Sequence, residues 1–176
     1  MRNAIRIVLF CLVFVQTACT QTLVSNRPHC SNIVFDERVA DQISFTVPLI
    51  GTKELAENPE AYHIFDTRKY EEYTTSHIPG ASYLGYRDFD VKRLNDLPYD
   101  SPIVLYCSIG YRSEKIGEKL RELGYTHVYN LYGSIFDWVN RGYPIVDENE
   151  NPTEQVHTYN RAWSKWVEED AAVKVW

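Results

Sequence analysis

From position 43 onward, short apolar runs alternate with amphipathic stretches, and the alternation predicts strands and helices in turn. Residues 43–47 are β-branched and aromatic, which predicts a strand. Residues 52–56 read as a helical turn with Thr52 as N-cap, and residues 62–65 as a short strand ending in Asp66-Thr67-Arg68. A helix over 70–77 stops at Pro79-Gly80, a strand follows over 81–84, and a short helix over 91–97 meets Pro98.

Ile103-Val104-Leu105-Tyr106 has no polar break, the pattern of a strand buried on both faces of a parallel sheet. After it, Ile116, Leu120 and Leu123 mark the apolar face of a helix that stops at Gly124. A strand over 128–131 and a helix through Ile135, Trp138 and Val139 complete the series. Strand and helix in this rhythm give an α/β domain with a mainly parallel central sheet, over residues 43–146. In the remaining 147–176, Val156, Tyr159, Trp163 and Trp166 fall at near-helical spacing and predict a C-terminal helix packed on the domain.

The N-terminus follows another pattern. Arg2 and Arg6 precede nine apolar residues, 7–15, and then Gln16-Thr17-Ala18-Cys19. Charged, apolar, then small is the order of a secretory signal peptide over 1–18. As a helix the apolar run covers about 13 Å, too short for a hydrocarbon core of about 30 Å. Thr17-Ala18-Cys19 resembles the end of a bacterial lipobox, with Gln16 departing from the usual aliphatic residue. The resemblance implies an exported protein, periplasmic or membrane-anchored through acylated Cys19. Residues 19–42, including Cys30, are polar enough to read as a linker.

Composition changes this picture little. A length of 176 residues suits one domain, and a net charge of −6 without a basic block argues against nucleic acid as a partner. Beyond the N-terminal segment only Cys30 and Cys107 remain, too few for a disulfide framework.

The candidate chemistry lies in Cys107-Ser108-Ile109-Gly110-Tyr111-Arg112-Ser113, between the buried strand and the amphipathic helix. Ligands of parallel sheets sit past the carboxyl ends of strands, and a helix N-terminus favours anions. Gly110 lets the loop curl, Arg112 adds a fixed positive charge, and Ser113 offers a hydroxyl and a helix cap. A cysteine in such a cradle is expected to have a lowered pKa. Cysteine at a strand end is otherwise an ordinary core residue; the order of Gly110, Arg112 and Ser113 around it turns the reading towards a nucleophile.

This segment resembles the active-site loop of single-domain rhodanese-like sulfurtransferases. Asp66-Thr67-Arg68-Lys69-Tyr70-Glu71-Glu72-Tyr73, followed by His77-Ile78-Pro79-Gly80-Ala81, is similar to the family's second signature, and residues 133–138 to its closing element. The resemblance implies a doubly wound rhodanese-like domain and a persulfide carried on Cys107. The implied donor is thiosulfate or a low-molecular-weight persulfide, and the acceptor a thiol or a protein. It implies no metal and no organic cofactor. Candidate substrate-binding residues are Ser108, Ile109, Gly110, Tyr111, Arg112, Ser113 and Arg68. Asp66, Arg68, Glu72 and His77 read mainly as a brace.

Two features bear on alternatives. Phosphatase and arsenate-reductase relatives place one more residue between nucleophile and arginine than the four found here. Ser108 stands where many thiosulfate-using members carry a basic residue, and Ile109 and Tyr111 make the mouth more apolar, which points towards persulfide donors. A non-catalytic binding module and a thiol-redox protein using Cys30 are the other readings.

Overall fold

The computed structural model describes residues 27–176. The expected signal peptide and Cys19 lie outside the described residues. Five parallel strands form the central sheet: β1 (Leu49–Ile50), β2 (His63–Asp66), β3 (Ser82–Tyr83), β4 (Ile103–Tyr106) and β5 (Val128–Leu131). Their order is β1-β5-β4-β2-β3, which puts β4 in the middle. That position explains its sequence, because all four of its side chains are buried. Val104 and Tyr106 enter one core, and Ile103 and Leu105 the other.

The helices are α1 (Ile33–Ala40), α2 (Thr52–Glu57), α3 (Tyr70–Thr75), α4 (Tyr111–Glu122) and α5 (Ser134–Asn140). Ile116 and Leu120 of α4 pack with Ile103 and Leu105, while Phe35 and Val39 of α1 pack with Ile135, Phe136 and Val139 of α5. A hairpin of β6 (Ile145–Val146) and β7 (Pro152–Thr153) follows, then a parallel pair, β8 (Gln155–His157) and β9 (Val173–Val175). Among the described residues no helix is long and apolar enough to cross a membrane.

Five local expectations need correction. Residues 43–47 form no strand, because the Ser44 and Thr46 N–H groups donate to the buried Glu114 carboxylate at 2.8 and 3.0 Å instead of to a neighbouring strand. Helix α2 is capped by Gly51 rather than Thr52. Leu123 lies beyond the buried face of α4 and is exposed.

Residues 27–42 are not a linker. Asn32 caps α1 by accepting from Val34 and Phe35 N–H, and Arg27 closes on the buried Asp36 carboxylate. Cys30 is buried against Gly133, where a Cβ would lie 2.6 Å from its sulfur. The C-terminal aromatics belong to no helix either. Val156 sits in β8, Tyr159 has a positive φ of 68° that stops any helix, and Trp166 ends a short 3-10 turn. Val156, Trp163 and Trp166 pack on one core from separate pieces of chain, while Tyr159 is exposed.

Candidate active site

Strand β4 ends at Tyr106, and the chain turns at once into the loop that opens α4. Three neighbours fix the turn. Cys107 N–H donates to Ser134 Oγ at 3.1 Å, and that hydroxyl donates to Leu131 O at 3.0 Å. The first N–H groups of α5 reach over, Ile135 to Cys107 O and Phe136 to Ser108 O, both at 3.2 Å. Asn130 of β5 takes the far side: its Nδ2 donates to Gly110 O at 3.0 Å, and its Oδ1 accepts from Ser113 Oγ at 2.7 Å. Gly110 has φ 123°, a conformation that side-chain-bearing residues rarely adopt.

The loop curls around the Cys107 sulfur, which accepts the Gly110 N–H at 3.2 Å. Burial pushes this thiol's pKa up. The Arg112 charge and the backbone N–H groups of Ser113, Gly110 and Ile109 outweigh that, and the net pKa lies below the ordinary cysteine value. Cys30 differs: burial, reinforced by Asp137 and Asp36, raises its pKa. Cys30 and Cys107, the two cysteines among the described residues, are both free.

Arg112 does not reach out as an uncommitted cation. Its Nη1 and Nη2 bind Glu72 Oε2 and Oε1 at 2.8 and 3.0 Å, and Nη2 also donates to Ser108 Oγ at 2.9 Å. Burial raises the Glu72 carboxyl, but the Arg112 hydrogen bonds and charge prevail and hold it at about 2. Glu72, expected in a brace between strand and turn, is therefore the partner of the loop arginine. Ser113 caps nothing; Gly110 is the N-cap, and the Ser113 hydroxyl is buried against Gly110 O and Asn130.

Arg68 is fully buried, with Nε and Nη2 on Asp66 and Nη2 also on Ser76 O. It borders the cavity above Cys107, but only Nη1 is left without a partner. His77 faces elsewhere, with Nε2 at 3.0 Å from Glu150 and its ring stacked on Tyr73. The cavity has a volume of about 590 Å³, with Cys107, Ser108, Ile109, Tyr111 and Arg112 among its lining residues. Gly110 and Ser113 shape the loop from behind. Among the described residues no group of three or more His, Cys, Asp or Glu side chains is arranged to hold a metal.

Sequence reasoning did not find Glu72 as the arginine clamp, nor Asn130 and Ser134 as pins. Glu72 lies within the segment 66–73, but its partner is 40 residues away. Asn130, a lone polar residue in an apolar strand, was the one legible hint.

Residues 51–141 match the family model described as the rhodanese-like domain. A protein of Allochromatium vinosum called a sulfurtransferase is 35% identical over 83 residues, covering 47% of this chain and 77% of that protein. A putative sulfur carrier protein, YrkF of Bacillus subtilis, is 30% identical over 95 residues, covering 54% of this chain. The chain spans only about half, 51%, of that relative's length. Among solved structures, the rhodanese-like domain of an Anabaena protein superposes with a TM-score of 0.53 at 27% identity, covering 57% of this chain and 79% of that one.

Proposed function

The chain belongs to the rhodanese-like domain family, and from that premise we propose that it is a sulfurtransferase working through a persulfide on Cys107. The observation that carries the reading is the Cys107 sulfur, held at 3.2 Å from the Gly110 N–H inside a loop that lowers its pKa. Relatives called sulfurtransferase and sulfur carrier support the same reading.

The Cys107 thiolate attacks the outer sulfur of the donor. A new S–S bond forms, the donor's own bond to that sulfur breaks, and the leaving group takes the electron pair. Thiosulfate leaves as sulfite, and an organic persulfide leaves as its thiolate. A thiolate or cyanide then attacks the outer sulfur of the persulfide, and Cys107 leaves as thiolate. No net redox change occurs in either half. Loop N–H groups, fixed by Asn130, Ser134 and α5, stabilise negative sulfur in both without reorganising. Arg112 contributes its charge from a fixed position under Glu72.

Cyanide added after incubation with a sulfur donor tests this. Thiocyanate release by the wild type, absent in Cys107→Ser, is the expected result; release equal in both contradicts it. The lipobox-like end at Cys19 supports a second proposal, an exported and acylated protein. Membrane fractionation and labelling with a fatty acid that disappear in Cys19→Ala are expected, and unchanged labelling refutes it.

A further inference from the structure

The cavity over Cys107 is lined in part by a segment of the chain beyond the matched domain. Tyr159 and Trp163 line it, and both lie past residue 141, where the family match ends. Tyr70, Tyr83 and Tyr86 line it as well. The Tyr159 ring faces two cations, with Lys69 Nζ at 5.6 Å and the Arg112 guanidinium carbon at 5.4 Å from its centroid.

This wall is held in place. Val156 and Thr158 on either side of His157 are fully buried, and Thr158 binds Val175 O through both its N–H and its hydroxyl. Tyr159 N–H donates to His157 Nδ1 at 3.0 Å, which fixes the left-handed turn at Tyr159 (φ 68°). Trp163 is anchored in turn by Asn160, whose side chain and carbonyl both accept its N–H, and by Arg38 over its ring at 5.3 Å. A tyrosine held in a sparsely populated backbone conformation, ring exposed towards the cavity, marks a positioned side chain.

The charges around the sulfur suit an inorganic dianion poorly. Ser108 is neutral, Arg112 is paired at two points with Glu72, and Arg68 is paired with Asp66. Lys69 lies over the Tyr159 ring, and Arg87 lines the cavity together with the acidic Glu71 and Asp88. Ring faces, by contrast, offer contact area to an organic body. Resting on the sulfur-transfer reading above, we infer that the C-terminal segment, through Tyr159, is a specificity wall that fits the Cys107 site to small organic persulfides rather than to thiosulfate. Tyr159 packs on the donor's carbon skeleton while its outer sulfur reaches Cys107.

Quenched mass measurements of Cys107 loading against donor concentration test this, with glutathione persulfide and thiosulfate as probes. In Tyr159→Ala the half-saturating concentration of glutathione persulfide rises about tenfold, one lost aromatic contact, with little change in the limiting rate. The thiosulfate curve moves less than about twofold, and Tyr159→Phe behaves as wild type. Equal loss with both donors, or no change with either, overturns the inference and leaves sulfur transfer standing. So does wild-type loading by thiosulfate alone. Loading by neither donor, with Cys107 reduced and alkylatable, overturns sulfur transfer and the specificity wall together.

Discussion

Arg112 and Glu72, 40 residues apart in the chain, meet in a two-point ion pair directly beside the nucleophile loop, with Glu72 almost wholly buried. Arg112 can therefore set the electrostatics of Cys107 without swinging into the cavity. Glu72→Gln leaves a mostly buried guanidinium short of a counter-charge, and a loss of roughly 3 kcal/mol at neutral pH is expected. The Glu72 carboxyl is held near 2 in the fold against an ordinary 4.5. Its contribution is thus complete above about pH 4.5 and fades as pH falls towards 2. Denaturant melts of wild type and Glu72→Gln across that window should converge; a constant difference contradicts the account.

Arg112 is also the main charge that pulls the Cys107 pKa below its ordinary value, against the effect of burial. Arg112→Gln should move the pH midpoint of Cys107 alkylation by iodoacetamide upward. Because the thiolate is the reacting form, alkylation at pH 7 slows in the variant. Cys30→Ser serves as the background for this titration. An unchanged midpoint rules out a charge role for Arg112.

Much of this site is legible in the residues themselves. The uninterrupted run Ile103-Val104-Leu105-Tyr106 announces the central strand because burial on both faces leaves no place for a polar residue. Cys107, Gly110 and Arg112 follow within a few positions, so their roles read off local order. What stays hidden depends on long-range pairing. Nothing local to Glu114 signals that it accepts the Ser44 and Thr46 N–H groups, about 70 residues earlier in the chain. Residues 27–42 look like linker because Arg27, whose pairing lets Asp36 of α1 be buried, lies nine positions before it in the chain. Near-helical aromatic spacing misleads in the C-terminal segment, since a backbone turn at Tyr159 is invisible to periodicity.

Asn130 ties Gly110 O and the Ser113 hydroxyl to β5. Asn130→Ala removes two buried hydrogen bonds, while Gly110 O keeps the Ser113 hydroxyl and the Glu114 N–H, so a loss of roughly 1 kcal/mol per lost bond is expected. A lower melting temperature and slower Cys107 alkylation should appear together, since one side chain supports both the fold and the loop. Asn130→Asp keeps an acceptor for Ser113 but loses the donor to Gly110 O. A buried carboxylate oxygen then faces Gly110 O, so this variant should lose at least as much stability as Asn130→Ala while still slowing alkylation. Normal alkylation in a destabilised Asn130→Ala contradicts a positioning role.

Cys107 is proposed to carry transferable sulfur. Intact mass spectrometry after incubation with glutathione persulfide or thiosulfate tests it most directly, with Cys107→Ser alongside. A gain of about one sulfur atom (~32 Da) is expected in the wild type, reversed by dithiothreitol and absent in Cys107→Ser. No gain with either donor, in protein whose Cys107 is reduced and open to alkylation, would contradict it.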